Sequence, residues 1–320
     1  MSEARIEGKE PFFVVGSDRS GTTMLRMMLD AHPGLRMGFE SWFLIELMDA
    51  LPLRGQLSGD QVNRAYEILC GHPRWRRWGV SDEALAACLE DLDDPDLSEL
   101  VEAVFRQYLG GSGETRWGDK TPAYVSEIKR IHTVFPCAQF IHLIRDARDV
   151  CISLRKVRWH GPTLVHMARY WREQVSIGME TGRALGDALY LEVPYEALVT
   201  DLETTLRRIC SFLGESFDPD MLDWHELTPK KTAGVKMRFH PKLDRAPRPS
   251  DTSRWKSELS SMSVAIVETC AGDVMDQANQ RRNFDKRVRL ISPFLDAYAL
   301  VGSALFKIRR FLRRTASAIN

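Results

Sequence analysis

The stretch Gly16-Ser17-Asp18-Arg19-Ser20-Gly21-Thr22-Thr23 sets glycines, hydroxyl side chains and one arginine between the apolar run Phe12-Phe13-Val14-Val15 and a helical pattern, Met24, Leu25, Met28 and Leu29. A glycine turn from strand to helix aims backbone N–H groups and the positive end of the helix dipole at one point, which suits a phosphate. The spacing is that of a P-loop. In an ATP or GTP enzyme a lysine follows the second glycine and reaches the β- and γ-phosphates, and the next Ser or Thr holds magnesium. Here Thr22 stands in the lysine's place. That argues against nucleoside triphosphate hydrolysis, whereas Arg19 brings a different cation to the same end of the ligand. A nucleotide with one 5′-phosphate and a transferable group fits such a loop. The bland alternative is a glycine turn that only joins strand to helix, since loops this short match by chance. A second set, Arg145-Asp146-Ala147-Arg148-Asp149-Val150-Cys151-Ile152-Ser153, begins where a strand ends, the usual ligand position in an open α/β sheet. Arg145 and Ser153 are spaced to grip one further phosphate. Arg148 and Asp149 read as a solvated, salt-bridged helix start.

These residues need elements to hold them. Phe12 to Val15 reads as a strand, and Gln139 to Ile144 is a second compact apolar strand that runs into Arg145. Ala188 to Val193 reads as a third, ahead of Pro194. Helical patterns run from Val165 to Leu185 and from Thr204 to Leu213, the latter ended by Gly214 as a C′ residue. Strands alternating with helices predict an α/β fold: a P-loop-like parallel sheet flanked by helices, with a helical insertion over 51–110. The acids from Glu90 to Asp96 lack the glycine and ligand spacing of a calcium loop and read as solvated surface. Residues 228–256 include a long aperiodic stretch rich in Lys, Arg, Pro and His, which predicts a functional loop. One main domain is expected over 11–285. A basic amphipathic helix follows within 286–320: from Pro293 to Arg314, Phe294, Tyr298, Val301, Leu305, Ile308 and Leu312 fall on one stripe, and Lys307, Arg309, Arg310, Arg313 and Arg314 crowd its end. That stripe reads first as core packing, second as peripheral contact with the inner face of an anionic membrane.

Lys+Arg and Asp+Glu each number 44, so no overall positive field points to a nucleic-acid partner. The six cysteines show no C-x-x-C pair and no zinc-ligand grouping with histidine, which predicts free thiols and no metal. Met1 to Glu10 lacks the apolar core of a secretory signal, and no apolar run approaches the roughly 18–20 residues needed to span a bilayer, so a cytoplasmic protein is expected.

The loop Gly16 to Thr23, Arg145 with Ser153, and Arg248 ahead of Arg254-Trp255-Lys256 together resemble the sulfotransferase superfamily, over about residues 11 to 256. The resemblance implies 3′-phosphoadenosine 5′-phosphosulfate (PAPS) as donor and adenosine 3′,5′-bisphosphate as product. It implies Ser20, Gly21, Thr22 and Thr23 as ligands of the 5′-phosphosulfate, and Arg145, Ser153 and Arg248 as ligands of the 3′-phosphate. Pro249 and Ser250 stand where cytosolic members carry Lys and Gly. Arg19 to Arg26 and Leu29 to Pro33 look especially like the tyrosylprotein branch. Trp117 to Pro122, Tyr195-Glu196 and Phe212 to Gly214 look like the bacterial small-molecule group, which makes a small-molecule acceptor the expectation.

Sulfuryl transfer needs in-line attack, removal of the acceptor proton and neutralisation of charge on the leaving oxygen. Arg19 and Lys120 are the candidate electrostatic groups. The cytosolic branch has its basic histidine two residues after the matching lysine, where this chain has Pro122. Glu40 occupies the place of the tyrosylprotein branch's catalytic glutamate and is the leading candidate base, with Glu46 second. The other reading of Glu40 is a carboxylate that stabilises a helix N-terminus. His32 reads as a turn residue and His142 as a core histidine. Arg74-Trp75-Arg76-Arg77-Trp78 reads as a solvated helix face rather than a cation–π acceptor pocket. Two rival functions stand beside this one. A kinase-like P-loop phosphotransferase is disfavoured by Thr22 and by the lack of a clear strand-end magnesium aspartate. A non-catalytic nucleotide-binding protein of the same fold is the other.

Overall fold

Side chains alternate across a strand, and in Phe12-Phe13-Val14-Val15 both sets are fully buried. Such a strand must be covered on both faces. The computed structural model describes residues 10–109, 115–157, 160–227, 245–284 and 294–303. The elements run β1 (Phe12–Val15), α1 (Thr22–Asp30), β2 (Leu35–Met37), α2 (Phe43–Ala50), α3 (Gly59–Gly71), α4 (Asp82–Glu90), α5 (Leu97–Leu109), β3 (Arg116–Asp119), α6 (Ile128–Val134) and β4 (Gln139–Ile144). They continue with α7 (Ala147–Val157), α8 (Leu164–Arg183), β5 (Tyr190–Pro194), α9 (Tyr195–Thr200), α10 (Leu202–Leu213), α11 (Trp224–Leu227), α12 (Trp255–Glu258), α13 (Ser261–Gln277) and a last helix, α14, over 294–303.

The five strands pair in parallel in the order β2-β3-β1-β4-β5. The chain leaves β1 toward one edge and returns to its other side at β4, so the carboxyl ends of β1 and β4 form a switch point where a crevice opens. On one face Phe13, Val15 and Phe140 pack with α2 through α6, including the fully buried Phe43 and Phe105. On the other, Phe12, Val14, Ile141 and Leu143 pack with α1, α9 and α10. A third cluster joins α7, α8 and α13 around Trp171.

The expected α/β sheet and the helices over 51–110 are present. The third strand runs from Tyr190 to Pro194 rather than from Ala188, and the short β2 and β3 were not foreseen. Gly214 does end α10 in the left-handed conformation, at φ 75°. Two expectations of solvated surface fail. Trp75 and Trp78 are buried in the core beside Phe43, because the short helical turn at Trp75–Arg77 caps the insertion instead of lying outside it. Arg148 and Asp149 are also buried, as detailed below. Of the late loop, 228–244 lies outside the described residues, as does the C-terminal stretch from 304 onward. Within α14 the expected packing stripe is the wrong face: Leu295 and Ala299 pack on Val165, whereas Phe294, Tyr298 and Val301 are exposed.

Candidate active site

The turn after β1 is shaped by steric need. A Cβ on Gly16 would lie 2.5 Å from the Leu143 carbonyl oxygen, and one on Gly21 would lie 2.5 Å from the Tyr195 ring. Gly21 also sits at φ 101°, a conformation glycine takes without strain. Arg19 adopts φ 71°, uncommon for a residue with a Cβ and concentrated at functional turns. α1 begins at Thr22 with no side-chain cap, so its dipole faces the turn unshielded by a side chain of its own. The Ser17 and Ser20 hydroxyls are buried and without a hydrogen-bond partner, which marks the turn as a polar cradle suited to a phosphate. On its flank His160 Nε2 lies 2.7 Å from Asp18 Oδ2, and the His160 ring stacks on Tyr170.

A second centre forms at the end of β3. Lys120 is fully buried, and its Nζ donates to Glu40 Oε1 at 2.5 Å and to Thr23 Oγ1 at 3.2 Å. Burial holds the Lys120 ammonium below its usual range, with Glu40 opposing that shift. Glu40 Oε2 accepts at 3.3 Å from Arg74 Nη1 and from Trp42 Nε1. Trp42 takes φ 57° just before α2 begins, and the Arg74 guanidinium lies over its ring. Glu40 is thus not a helix-capping carboxylate: it precedes the first turn and joins Arg74 of the insertion to Lys120 at the end of β3. Ser41 N donates to Thr121 Oγ1, and Ser41 Oγ meets the Tyr124 hydroxyl at 2.6 Å, which fixes the loop on both sides of Glu40. Glu46, the second candidate base, lies on α2 with more than half its side chain exposed, 3.6 Å from His72 and away from this centre.

The third centre lies beyond β4. Arg145 Nη2 donates to the Asp251 carbonyl at 3.0 Å and Nη1 to the Arg19 carbonyl at 3.4 Å; its guanidinium stacks over Tyr195 and its Nε, buried, has no partner. Ser153 Oγ accepts from Arg19 Nε at 3.0 Å, so α7 is tied to the glycine turn through the loop's own arginine. Burial lowers the Arg19 pKa. Arg248 is exposed and its backbone N–H donates to the Asp251 carboxylate, three residues along the segment that Arg145 holds. The Asp149 carboxylate accepts from Trp255 N–H at 2.9 Å, and the Arg148 guanidinium lies 3.6 Å from the centroid of the Trp255 ring.

Glu40, Lys120 and Thr23 are therefore gathered into one cluster, and Arg19, Arg145 and Ser153 into another, with the glycine turn shared between them. Arg248 stands at the edge of the second cluster. Sequence reasoning did not connect Trp42 and Arg74 with Glu40, Tyr195 and Asp149 with Arg145, or Trp255 with Arg148 and Asp149. Tyr195 entered the sequence reading only as part of a resemblance, although an aromatic right after β5 was a signal for a partner of Arg145. His142 is a core histidine as expected: its Nδ1 meets the Tyr190 hydroxyl, and burial lowers its pKa to about 3.

A parallel sheet with a glycine turn and two clusters of charged side chains at its switch point is suited to a phosphate-bearing ligand. The model of the Sulfotransferase family matches residues 11–219, and the chain belongs to that family. It is 28% identical over 228 residues to protein-tyrosine sulfotransferase A of Caenorhabditis elegans, covering 69% of this chain and 54% of that protein. It is 26% identical over 272 residues to the protein-tyrosine sulfotransferase of Drosophila melanogaster, covering 83% of this chain and 49% of that one. The chain thus spans about half the length of these curated relatives. The sulfotransferase domain of the Synechococcus PCC 7002 olefin synthase superposes with a TM-score of 0.59 at 24% identity, over 84% of this chain and 97% of that domain, a likeness of fold.

Proposed function

We propose that this sulfotransferase moves a sulfuryl group from PAPS to a hydroxyl or amine of a small-molecule acceptor, without a metal. The observation that carries the reading is the Glu40–Lys120–Thr23 chain, which links a carboxylate to the phosphate loop through one buried ammonium. Ser17, Ser20 and the amides at the start of α1 suit the 5′-phosphosulfate. Arg145, with its unpartnered Nε, Ser153 and Arg248 suit the 3′-phosphate. As the acceptor oxygen bonds to sulfur, the bond from sulfur to the bridging oxygen of the 5′-phosphate breaks. Glu40 takes the acceptor's proton, while Lys120 and Arg19 stabilise the charge left on the bridging oxygen. Trp42 and Arg74 hold the Glu40 carboxylate in orientation.

A tyrosyl hydroxyl of a peptide is the second reading, favoured by the names of the relatives in sequence. Labelled donor supplied with phenols, amines, alcohols and tyrosyl peptides separates the two. Transfer only to peptides would overturn the small-molecule reading. Glu40→Gln is expected to lower turnover by roughly 10²-fold or more with the affinity for adenosine 3′,5′-bisphosphate nearly unchanged. Equal losses in both would make Glu40 structural. Turnover is expected to survive EDTA, and ATP-dependent transfer restored by magnesium would favour a kinase-like enzyme instead.

A further inference from the structure

The large hydrophobic side chains exposed among the described residues are Met262, Phe294, Tyr298, Leu300 and Val301, and four of these five belong to α14. The helix is not loosely attached. Leu295 and Ala299 are buried against Val165, and a Cβ on Gly302 would sit 2.3 Å from Thr163 Cγ2, so its backbone lies close on the start of α8. Ser303 Oγ meets His166 Nε2 at 2.9 Å, and Arg169 pairs with Asp296. With that side committed to the protein, Phe294, Tyr298 and Val301, spaced i, i+4 and i+7, form a second apolar stripe turned to solvent. Met262, also exposed, lies on α13 one helical turn before Ile266, which packs on the Leu295–Ala299 cluster.

A soluble helix docked on its core normally shows polar side chains on its outer face. Outside the described residues the sequence repeats the apolar spacing at Leu305, Ile308 and Leu312. Between Ala297 and Asn320 it holds no Asp or Glu, and it places Lys307, Arg309, Arg310, Arg313 and Arg314 close together. An apolar stripe followed by cations matches a lipid surface that is apolar below its headgroups and negative at them. No helix among the described residues is long and apolar enough to cross a membrane. We propose that α14 and the basic stretch after it dock this protein on an anionic lipid surface. α8 starts at the carboxyl end of the sheet, and Tyr170 in its second turn accepts from Asp18 N–H of the glycine turn. Docking by α14 therefore sets the candidate active-site end of the molecule toward the lipid.

Sedimentation of the full chain with vesicles of phosphatidylcholine alone, or mixed with phosphatidylglycerol, tests this. Binding is expected only to the anionic vesicles and is expected to weaken as salt rises. The double variant Phe294→Asp/Val301→Asp changes exposed positions only. It is expected to keep the circular dichroism and bisphosphate affinity of the parent while losing vesicle binding about tenfold or more. Neutralising Arg309, Arg310, Arg313 and Arg314 to Gln is expected to weaken binding to the anionic vesicles at least as much. Absence of binding to anionic vesicles would overturn the proposal, as would equal binding by the double variant. Self-association that the double variant abolishes, without vesicle binding, would assign the stripe to a second copy of the chain instead.

Discussion

Arg145 is held in place before any ligand arrives: by the Asp251 carbonyl, by the Arg19 carbonyl, by the Tyr195 ring and, at 3.8 Å, by Asp149. Such preorganisation lowers the ordering cost of gripping a phosphate. Arg145→Ala is predicted to remove most of the preference for adenosine 3′,5′-bisphosphate over AMP. A charge-assisted bond is worth about 1.5–3 kcal/mol, or roughly 10- to 150-fold in affinity. Calorimetry with both nucleotides checks it, and an unchanged preference would move the 3′-phosphate elsewhere. Asp119 offers a pH test next to Lys120. It is completely buried, and burial pushes its pKa from 3.8 up to about 6, against the opposing pull of the Ser41 and Thr121 hydroxyls and of Lys120. A raised carboxyl pKa favours folding while the group is protonated, and that advantage is lost as pH climbs from about 4 through 6. The wild type is predicted to lose on the order of 3 kcal/mol relative to Asp119→Asn across that window. Parallel pH dependences of urea stability in the two proteins would refute it. The glycine turn and Arg145 were legible because their chemistry is local in sequence. Arg74 was not: it reaches Glu40 across 34 residues, and only the packing of Trp75 and Trp78 into the core aims it there.

Elements longer than a turn were legible wherever both faces of a strand, or one face of a helix, carried an apolar pattern, as in β1, β4 and α10. The three-residue β2 is too short to show a period, and β3, Arg116-Trp117-Gly118-Asp119, sets one tryptophan among two charged residues and a glycine, whereas the equally short β1 is wholly apolar. Gly118 in β3 lies where a Cβ would come within 2.5 Å of the Phe12 ring, a need invisible before the strands are paired. Arg148 shows why charged positions mislead when only sequence is read. Its guanidinium donates to Asp146 at 3.0 and 2.6 Å and to Glu268 at 2.7 Å, and it covers Trp255, so one buried cation joins α7, α13 and α12. Removing one member of a buried ionic cluster leaves the others uncompensated, at a cost of about 3–5 kcal/mol. Arg148→Ala is predicted to lower urea stability by that amount. A loss within the range of a surface pair, below about 1 kcal/mol, would show the cluster to be solvated after all.

Across the whole molecule, the candidate nucleotide site is assembled from segments more than 200 residues apart: the turn after β1, the start of α7 and the segment from Arg248 to Trp255. The last of these is tied to the end of β4 and to α7 by Arg145 donating to the Asp251 carbonyl, by the Trp255 N–H donating to the Asp149 carboxylate and by Arg148 over the Trp255 ring. A ligand gripped at both ends therefore couples the late segment to the glycine turn, whereas one gripped only at its 5′-phosphate does not. Binding to the folded state alone stabilises by RT ln(1 + [L]/Kd), about 2.7 kcal/mol at a hundredfold excess over Kd. At matched saturation, adenosine 3′,5′-bisphosphate is predicted to slow amide exchange both in residues 16–23 and in residues 248–256, and AMP only in the first. Hydrogen–deuterium exchange read by peptide mass reports the two segments separately. Protection of 248–256 by AMP as strong as that by the bisphosphate would mean that the late segment follows the 5′-phosphate. In that case Arg145 would act as a brace between loops and not as the hand that reads the 3′-phosphate.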